Sequence, residues 1–240
     1  MKVSVILPAA GLGTRMAPGG GEPPTDRKQF LHLHGAPILV HTIRRFDACP
    51  SVDEIVVALR PDDMEWFESG IAQERYSKRV RLVEGGDTRQ ESVGNALASL
   101  ADDVDLVAVH DAVRPFTSME MIEAVIAAAS QTGAAILGVV PVDTVKQVHL
   151  HEIRSTIPRE HLVLAQTPQV FRVTLLKEAF AKAIAENFIG TDEASLVERL
   201  EGVPVTVVPG SERNIKITKA SDLGLADFYM SLERKESAGQ

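Results

Sequence analysis

Short runs of branched apolar residues alternate with longer amphipathic stretches along most of this chain, and that alternation constrains the fold more than any other feature. A strand buried on both faces reads as a continuous apolar run. Joining it to a parallel neighbour takes a crossover of about a dozen residues or more, usually helical. Val3 to Leu7 reads as such a strand, and Pro37 to Phe46 as a helix opened by its proline. Further strands are expected over Glu54 to Leu59, Val80 to Val83, Asp105 to Val109 and Ala134 to Val139. Helices are expected from near Pro61, over Thr88 to Leu100 and over Met119 to Ala129. The pattern predicts an α/β fold, a Rossmann-like and mostly parallel sheet flanked by helices.

After Pro141 the rhythm changes. Val142 to Ile157 alternates branched and polar residues around a candidate turn at His149 to Glu152, which predicts a protruding β-hairpin arm over about 142–157. A helix over Thr174 to Glu186 and another after Thr191 restore the earlier pattern. Strands over Val203 to Val208 and Asn214 to Thr218 and a helix over Ser221 to Glu233 complete it. The sequence holds no internal repeat and no composition break, so a single domain is expected over 1–233, with a polar, frayed tail over 234–240.

Bulk properties remove several function classes. A chain of 240 residues with 45% apolar content suits one α/β domain of moderate size with a substantial core. Its formal net charge of -8 argues against non-specific nucleic-acid binding, which needs a basic face. Cys49 is the only cysteine, which excludes intramolecular disulfides and cysteine-based zinc sites. No stretch approaches the length of a membrane span, and Val3 to Leu7 is too short for a signal-peptide core. A cytoplasmic protein, without nucleic-acid or membrane partners, is the expectation.

The chemistry concentrates in loops that follow strands. Pro8, Ala9, Ala10, Gly11, Leu12, Gly13, Thr14 and Arg15 follow the first strand directly, where open α/β sheets place their ligand crevice. Small residues let backbone amides wrap around phosphates. A plain strand-to-helix turn would look similar. The pattern is Gly-x-Gly-x-Arg, with Met16 where a dinucleotide fold has its third glycine, and Arg60 stands where such a fold ends its second strand in an acid. Hydride transfer is thereby disfavoured. Arg27 and Lys28 follow, after a surface loop over 19–26 that has no buried-face pattern and could close over phosphates. Arg15 and Lys28 are candidates to face a triphosphate.

Gly85 to Ser92 joins the third strand to a helix, and Asp87 or Thr88 suits a helix N-cap there. Gly86, Asp87 and Ser92 are candidates for nucleotide contact by position. Val109 to Phe116 holds Asp111, Ala112 and Arg114 at the end of the fourth strand. Asp111 is a candidate to hold Mg²⁺ directly or through water, or a substrate hydroxyl; an Asp–Arg pair that ties the loop is the plainer alternative. His110 reads as structural. Thr144 and Lys146 lie in the hairpin, Arg159 just after it, and Thr167-Pro168-Gln169 further on. Thr191 to Ser195 has the form of an N-capped helix start. Lys216 interrupts an apolar strand pattern, and an inward lysine needs a partner, of which a phosphate is one.

In their order, these motifs closely resemble the 2-C-methyl-D-erythritol 4-phosphate cytidylyltransferase family. The resemblance runs from Val3 to about Tyr229 and rests on Pro8 to Met16, Val109 to Pro115, Thr167 to Gln169, Thr191 to Ser195 and Asn214 to Thr218. It implies CTP, Mg²⁺ or another divalent cation, a polyol phosphate, and a homodimer formed through the hairpin arms. It further implies that Arg15 and Lys28 stabilise the transition state and that Arg159 and Lys216 hold the attacking phosphate, Arg159 reaching in from the other subunit. Pro8, Ala9, Ala10, Gly11, Gly13, Gly86, Asp87, Ser92, Asp111 and Ala112 would bind CTP. Arg114, Thr144, Thr167 and Thr191 would bind substrate. The segment between Arg15 and Lys28 is longer than is usual in the family, which leaves Arg27 as the rival of Lys28. A cytidylyltransferase for ribitol 5-phosphate or another polyol phosphate shares nearly every motif. A non-catalytic nucleotide sensor is the alternative of another class, and the four cations speak against it.

Overall fold

A computed structural model describes residues 1–11, 27–71 and 74–238. Its centre is a seven-stranded sheet. In chain order the strands are β1 (Val3–Pro8), β4 (Glu54–Leu59), β5 (Arg79–Glu84), β6 (Leu106–Val109), β7 (Ala134–Val139), β10 (Leu164–Arg172) and β11 (Thr206–Pro209). Their spatial order is β11-β7-β10-β6-β1-β4-β5. All pairings are parallel except those of β10, which runs antiparallel to both β6 and β7. The expected mostly parallel Rossmann-like α/β fold is thus present. The antiparallel β10 was not foreseen, because its Gln166-Thr-Pro-Gln169 centre breaks the apolar run that marks a buried strand. The register of β10 against β7 shifts at that same point.

Alternation along each strand divides the core into two layers. Val3, Val5 and Leu7 of β1 and Ile55, Val57 and Leu59 of β4 face one side, where α1 (Ile38–Asp47), α2 (Pro61–Ile71) and α4 (Met119–Thr132) pack. Ile6, Val56 and Ala58 face the other, against α3 (Arg89–Ala98), α5 (Val173–Ala185) and α6 (Glu193–Val197). Helix starts follow local chemistry. The fixed φ of Pro37 precedes α1. Ser118 accepts from the Met121 amide to cap α4. Gly133, at φ 91°, ends α4 in a left-handed conformation that a side chain disfavours.

A third cluster joins Leu33, Ile38, Val113, Phe116 and Ile217 to Ala226 and Met230 of α7 (Ala220–Ala238). This helix continues beyond the expected end at Glu233, so 234–238 belong to it rather than to a frayed tail. The segment 214–218 is not a strand; it is held by single contacts such as the Ile217 amide to the Val113 carbonyl at 3.0 Å. The short pair β2 (His32–Leu33) and β3 (Ala36–Pro37) leads into α1. The arm appears as β8 (Val145–His149) and β9 (Glu152–Ile157), a separate two-stranded sheet whose residues are nearly all exposed. Among the described residues, no helix is long and apolar enough to cross a membrane.

Candidate active site

Strand order reverses at β1, whose neighbours β4 and β6 are reached by crossovers in opposite directions, and ligand crevices open at the carboxyl ends of strands at such a point. The turns after β1, β5 and β6 therefore meet at one edge. Together they line a cleft of about 270 Å³, with Pro8, Ala9, Ala10 and Gly11 on one wall and Gly86, Asp87, Thr88 and Ser92 on another. Asp111, Ala112, Lys28 and Lys216 complete it. Glycine is needed at position 85, since a Cβ there would lie 2.5 Å from the Cβ of Ala10. Ser92 accepts from the Gly86 amide at 3.1 Å and donates to the Thr88 carbonyl at 2.8 Å, so it fixes the turn it was expected to share with a base. Thr88, not Asp87, caps α3, in a capping box with Glu91.

A second cavity, of about 160 Å³, adjoins the first. Arg114, Ala165, Thr167, Gln169, Thr191 and Asp192 line it. Arg89, Asp111 and Lys216 line both cavities and form the wall between them. Asp111, 6% exposed, is ringed by three cations there. The Nζ of Lys216 lies 3.0 Å away, the Nε of Arg114 3.2 Å and the Nε of Arg89 3.3 Å. Burial opposes ionisation of Asp111, but these cations, Lys216 foremost, outweigh it and hold the carboxyl well below its usual range. The partner that the inward Lys216 required is thus Asp111. The Asp–Arg pair that ties the loop is present as well.

Lys216 owes its placement to a mesh around Asn214. The Asn214 side chain donates to the Thr167 carbonyl at 2.9 Å, and its own carbonyl accepts from Arg114 at 2.6 Å. Thr167 does a second task. Its hydroxyl accepts from the Asp111 amide at 3.0 Å and lies 3.1 Å from Nδ1 of His110, whose Nε2 lies 3.0 Å from the Arg114 carbonyl. A carbonyl only accepts, so Nε2 carries the proton and Nδ1 receives the Thr167 hydroxyl. Burial pushes the His110 pKa down to about 4, which fits a neutral ring. His110 is structural, as its sequence context indicated.

The two cations at the end of the first loop separate clearly. Arg27 makes a buried ion pair with Asp63 of α2, whereas Lys28 lines the nucleotide-sized cleft. Gln29, given no role by the sequence, donates to the carbonyls of Ala9 at 2.7 Å and Gly11 at 3.2 Å, tying both ends of the loop together. Gly13, Arg15 and the 19–26 loop lie outside the described residues. Thr144 and Arg159 are not brought to either cavity of their own chain. Thr144 is exposed beside β8, and Arg159 donates to the Val142 carbonyl at the base of the arm. Both lie on or beside the arm, which is built outside the main sheet, and Arg159 was expected to serve the cavity of the other subunit rather than its own.

Sequence reasoning missed Arg89 and Glu193. Arg89 donates to both carboxylate oxygens of Glu193, at 2.7 and 2.9 Å, as well as to Asp111. Burial pushes the Glu193 carboxyl up, and Arg89 opposes that shift. One signal was available: Arg89 opens α3, where a cation runs against the helix dipole and calls for an anionic partner. Among the described residues no three His, Cys, Asp or Glu side chains group as a metal site. The cleft does offer Asp111 and Asp87, and Mg²⁺ commonly takes one or two carboxylates with substrate phosphates and water.

A small-residue turn at the switch point, beside a carboxylate-centred group of cations between two adjoining cavities, fits an α/β nucleotidyltransferase. The comparisons narrow the class. The family model described as "IspD: 2-C-methyl-D-erythritol 4-phosphate cytidylyltransferase" matches residues 3–232. A protein of that name from Solibacter usitatus is 58% identical, over 99% of both chains, and one from Acidobacterium capsulatum is 53% identical over 96% of this chain and 98% of its own. The structure of 4-diphosphocytidyl-2C-methyl-D-erythritol synthase from Anaerococcus prevotii matches with a TM-score of 0.83 at 30% identity, covering 96% of this chain and 98% of its own. This chain belongs to the 2-C-methyl-D-erythritol 4-phosphate cytidylyltransferase family.

Proposed function

We propose that this enzyme transfers CMP from CTP to 2-C-methyl-D-erythritol 4-phosphate, giving 4-diphosphocytidyl-2-C-methyl-D-erythritol and pyrophosphate. The observation that carries this reading is the pair of adjoining cavities with Arg89, Asp111 and Lys216 as their common wall. A nucleotide in the larger and a polyol phosphate in the smaller would meet at that wall. A phosphate oxygen of the polyol phosphate attacks the α-phosphorus of CTP, the bond to the bridging oxygen breaks, and pyrophosphate carries away its electron pair. No proton need move in this step, so the protein's work is positioning and charge neutralisation.

The residue roles follow from position. Pro8 to Gly11, Gly86, Asp87, Ser92, Asp111 and Ala112 hold CTP; Arg114, Thr167 and Thr191 hold the polyol phosphate. Lys28, with Arg15 from the preceding loop, offsets charge growing on the triphosphate, and Lys216 does so for the attacking phosphate. Mg²⁺ would add Lewis-acid neutralisation of the triphosphate. Asp111 would hold it through water, since three cations already occupy its oxygens. A homodimer in which the exposed arms embrace a partner would deliver Thr144 and Arg159 to the neighbouring smaller cavity. Non-mevalonate isoprenoid biosynthesis in the cytoplasm is the setting this reaction suits.

The test is pyrophosphate release from CTP with methylerythritol phosphate and, separately, ribitol 5-phosphate. Methylerythritol phosphate is expected to be used by far the better, and a wide preference for ribitol phosphate overturns the substrate assignment.

A further inference from the structure

We propose that Arg89 and Glu193 form a positioning pair for cytidylyl transfer, in which Glu193 fixes the Arg89 guanidinium so that it orients Asp111 on the wall between the two cavities. The proposal rests on the reaction proposed above.

Three of the five guanidinium N–H donors of Arg89 are committed. Two go to the oxygens of Glu193, at 2.7 and 2.9 Å, and the Nε–H goes to Oδ1 of Asp111 at 3.3 Å. A fork held at three points does not follow a substrate as it reacts, which separates Arg89 from a mobile catalytic cation. Its location excludes a remote structural role, because it lines both cavities.

Glu193 is itself a fixed anchor, 1% exposed. Gln169 of β10 donates to the Asp192 carboxylate at 2.7 Å and accepts from the Ala194 amide at 3.0 Å, so the residues on either side of Glu193 are pinned to the sheet. The chain of restraint thus runs from β10 to Glu193, then to Arg89 and then to Asp111. Arg89 takes Oδ1 of Asp111, while Arg114 and Lys216 share Oδ2. Without Arg89, both carboxylate oxygens are open to Lys216 and Arg114, and the face of Asp111 presented to CTP changes.

Glu193→Gln keeps the shape of the side chain and removes its charge. In the full-length protein with Mg²⁺ present, its Kd for CTP, read by calorimetry, is expected to rise about tenfold or more. Arg89→Lys leaves both charges in place and loses the fork, so it is expected to raise the CTP Kd by a similar factor. The double variant is expected to be no worse than the weaker single one, since both break one unit. A purely structural role lowers the fraction of protein that binds, which alters calorimetric stoichiometry and not Kd. Folded variants that bind CTP as tightly as the wild type overturn the proposal. Should Glu193→Gln not fold, Arg89→Lys decides alone on the same criterion. Pyrophosphate release by the wild type, measured in parallel, reports on the reaction itself, so a failure there is separate from a failure of the pair.

Discussion

Lys216 Nζ sits 3.0 Å from Oδ2 of Asp111 and is the most exposed of the three cations that surround this carboxylate. Arg114 and Arg89 are restrained by further partners, the Asn214 carbonyl and Glu193. Lys216 is the member with no such second anchor in the hydrogen-bond mesh described above, and it faces both cavities. A substrate phosphate would compete with Asp111 for it. On the reaction proposed above, Asp111 would hold this cation at the shared wall until an anion arrives.

Lys216→Ala is accordingly expected to lose turnover by about a hundredfold or more. Folding should be preserved, because Asp111 keeps two arginines. Pyrophosphate release and circular dichroism measured on the same preparation check both halves. Near-normal turnover would remove Lys216 from the phosphate role.

Arg27 and Lys28 should fail in different ways. Arg27→Ala strands the fully buried carboxylate of Asp63, at a cost of about 3–5 kcal/mol of stability. Lys28→Ala removes a cleft cation and is expected to lower turnover about a hundredfold with little change in urea midpoint. A stable but inactive Arg27→Ala protein beside an active Lys28→Ala protein would reverse the assignment.

The same contrast shows what the sequence could convey. Strands such as Glu54–Leu59 and Ala134–Val139 were legible to the residue because continuous burial leaves a continuous apolar run. The turns after β1, β5 and β6 were legible because glycines and charges there interrupt that pattern. β10 was hidden because its centre carries Gln166, Thr167 and Gln169, all buried and all spent on hydrogen bonds across the fold. The segment 214–218 was misread in the opposite sense: Ile215 and Ile217 look like a strand, but they serve the cluster under α7. Arg27 and Lys28 are adjacent cations, and only the position of α2 decides which of them is buried. The Arg89–Glu193 pair spans 104 residues, and no spacing rule links such positions.

Gly85→Ala tests the fit between the first two turns. Its Cβ would stand 2.5 Å from the Cβ of Ala10 and 3.1 Å from the Ser92 hydroxyl, neither of which is the end of a flexible chain. The two walls of the nucleotide cleft must then move apart. An increase of about tenfold or more in KM for CTP is expected, since small displacements of positioning groups carry large rate costs. Gly224→Ala, in α7 with nothing within 4 Å, is the control, and it should gain about 0.5–1 kcal/mol of stability. Equal effects of the two substitutions on KM would contradict a tight fit at position 85.

His110 gives a stability signature on the acid side. Its ordinary pKa is 6.5, and in the folded protein burial, the first cause, takes it down to about 4. Between those values the unfolded chain binds a proton that the folded chain does not, so stability falls as pH drops from about 6.5 toward 4. The shift corresponds to about 3 kcal/mol. Other groups are shifted too: His41 is also lowered by burial, and Glu193 is raised by burial and acts in the opposite sense. Comparison with His110→Gln cancels both. Urea denaturation at pH 7 and pH 4 should show the wild type losing about 3 kcal/mol more than the variant between the two conditions. The variant should be the less stable protein at pH 7, because it gives up the edge contact of the ring with Phe46 and the geometry that joins Thr167 to the Arg114 carbonyl. Parallel pH dependences in the two proteins would mean that His110 takes up its proton at the same pH in the folded and the unfolded chain, and the lowering by burial would have to be abandoned.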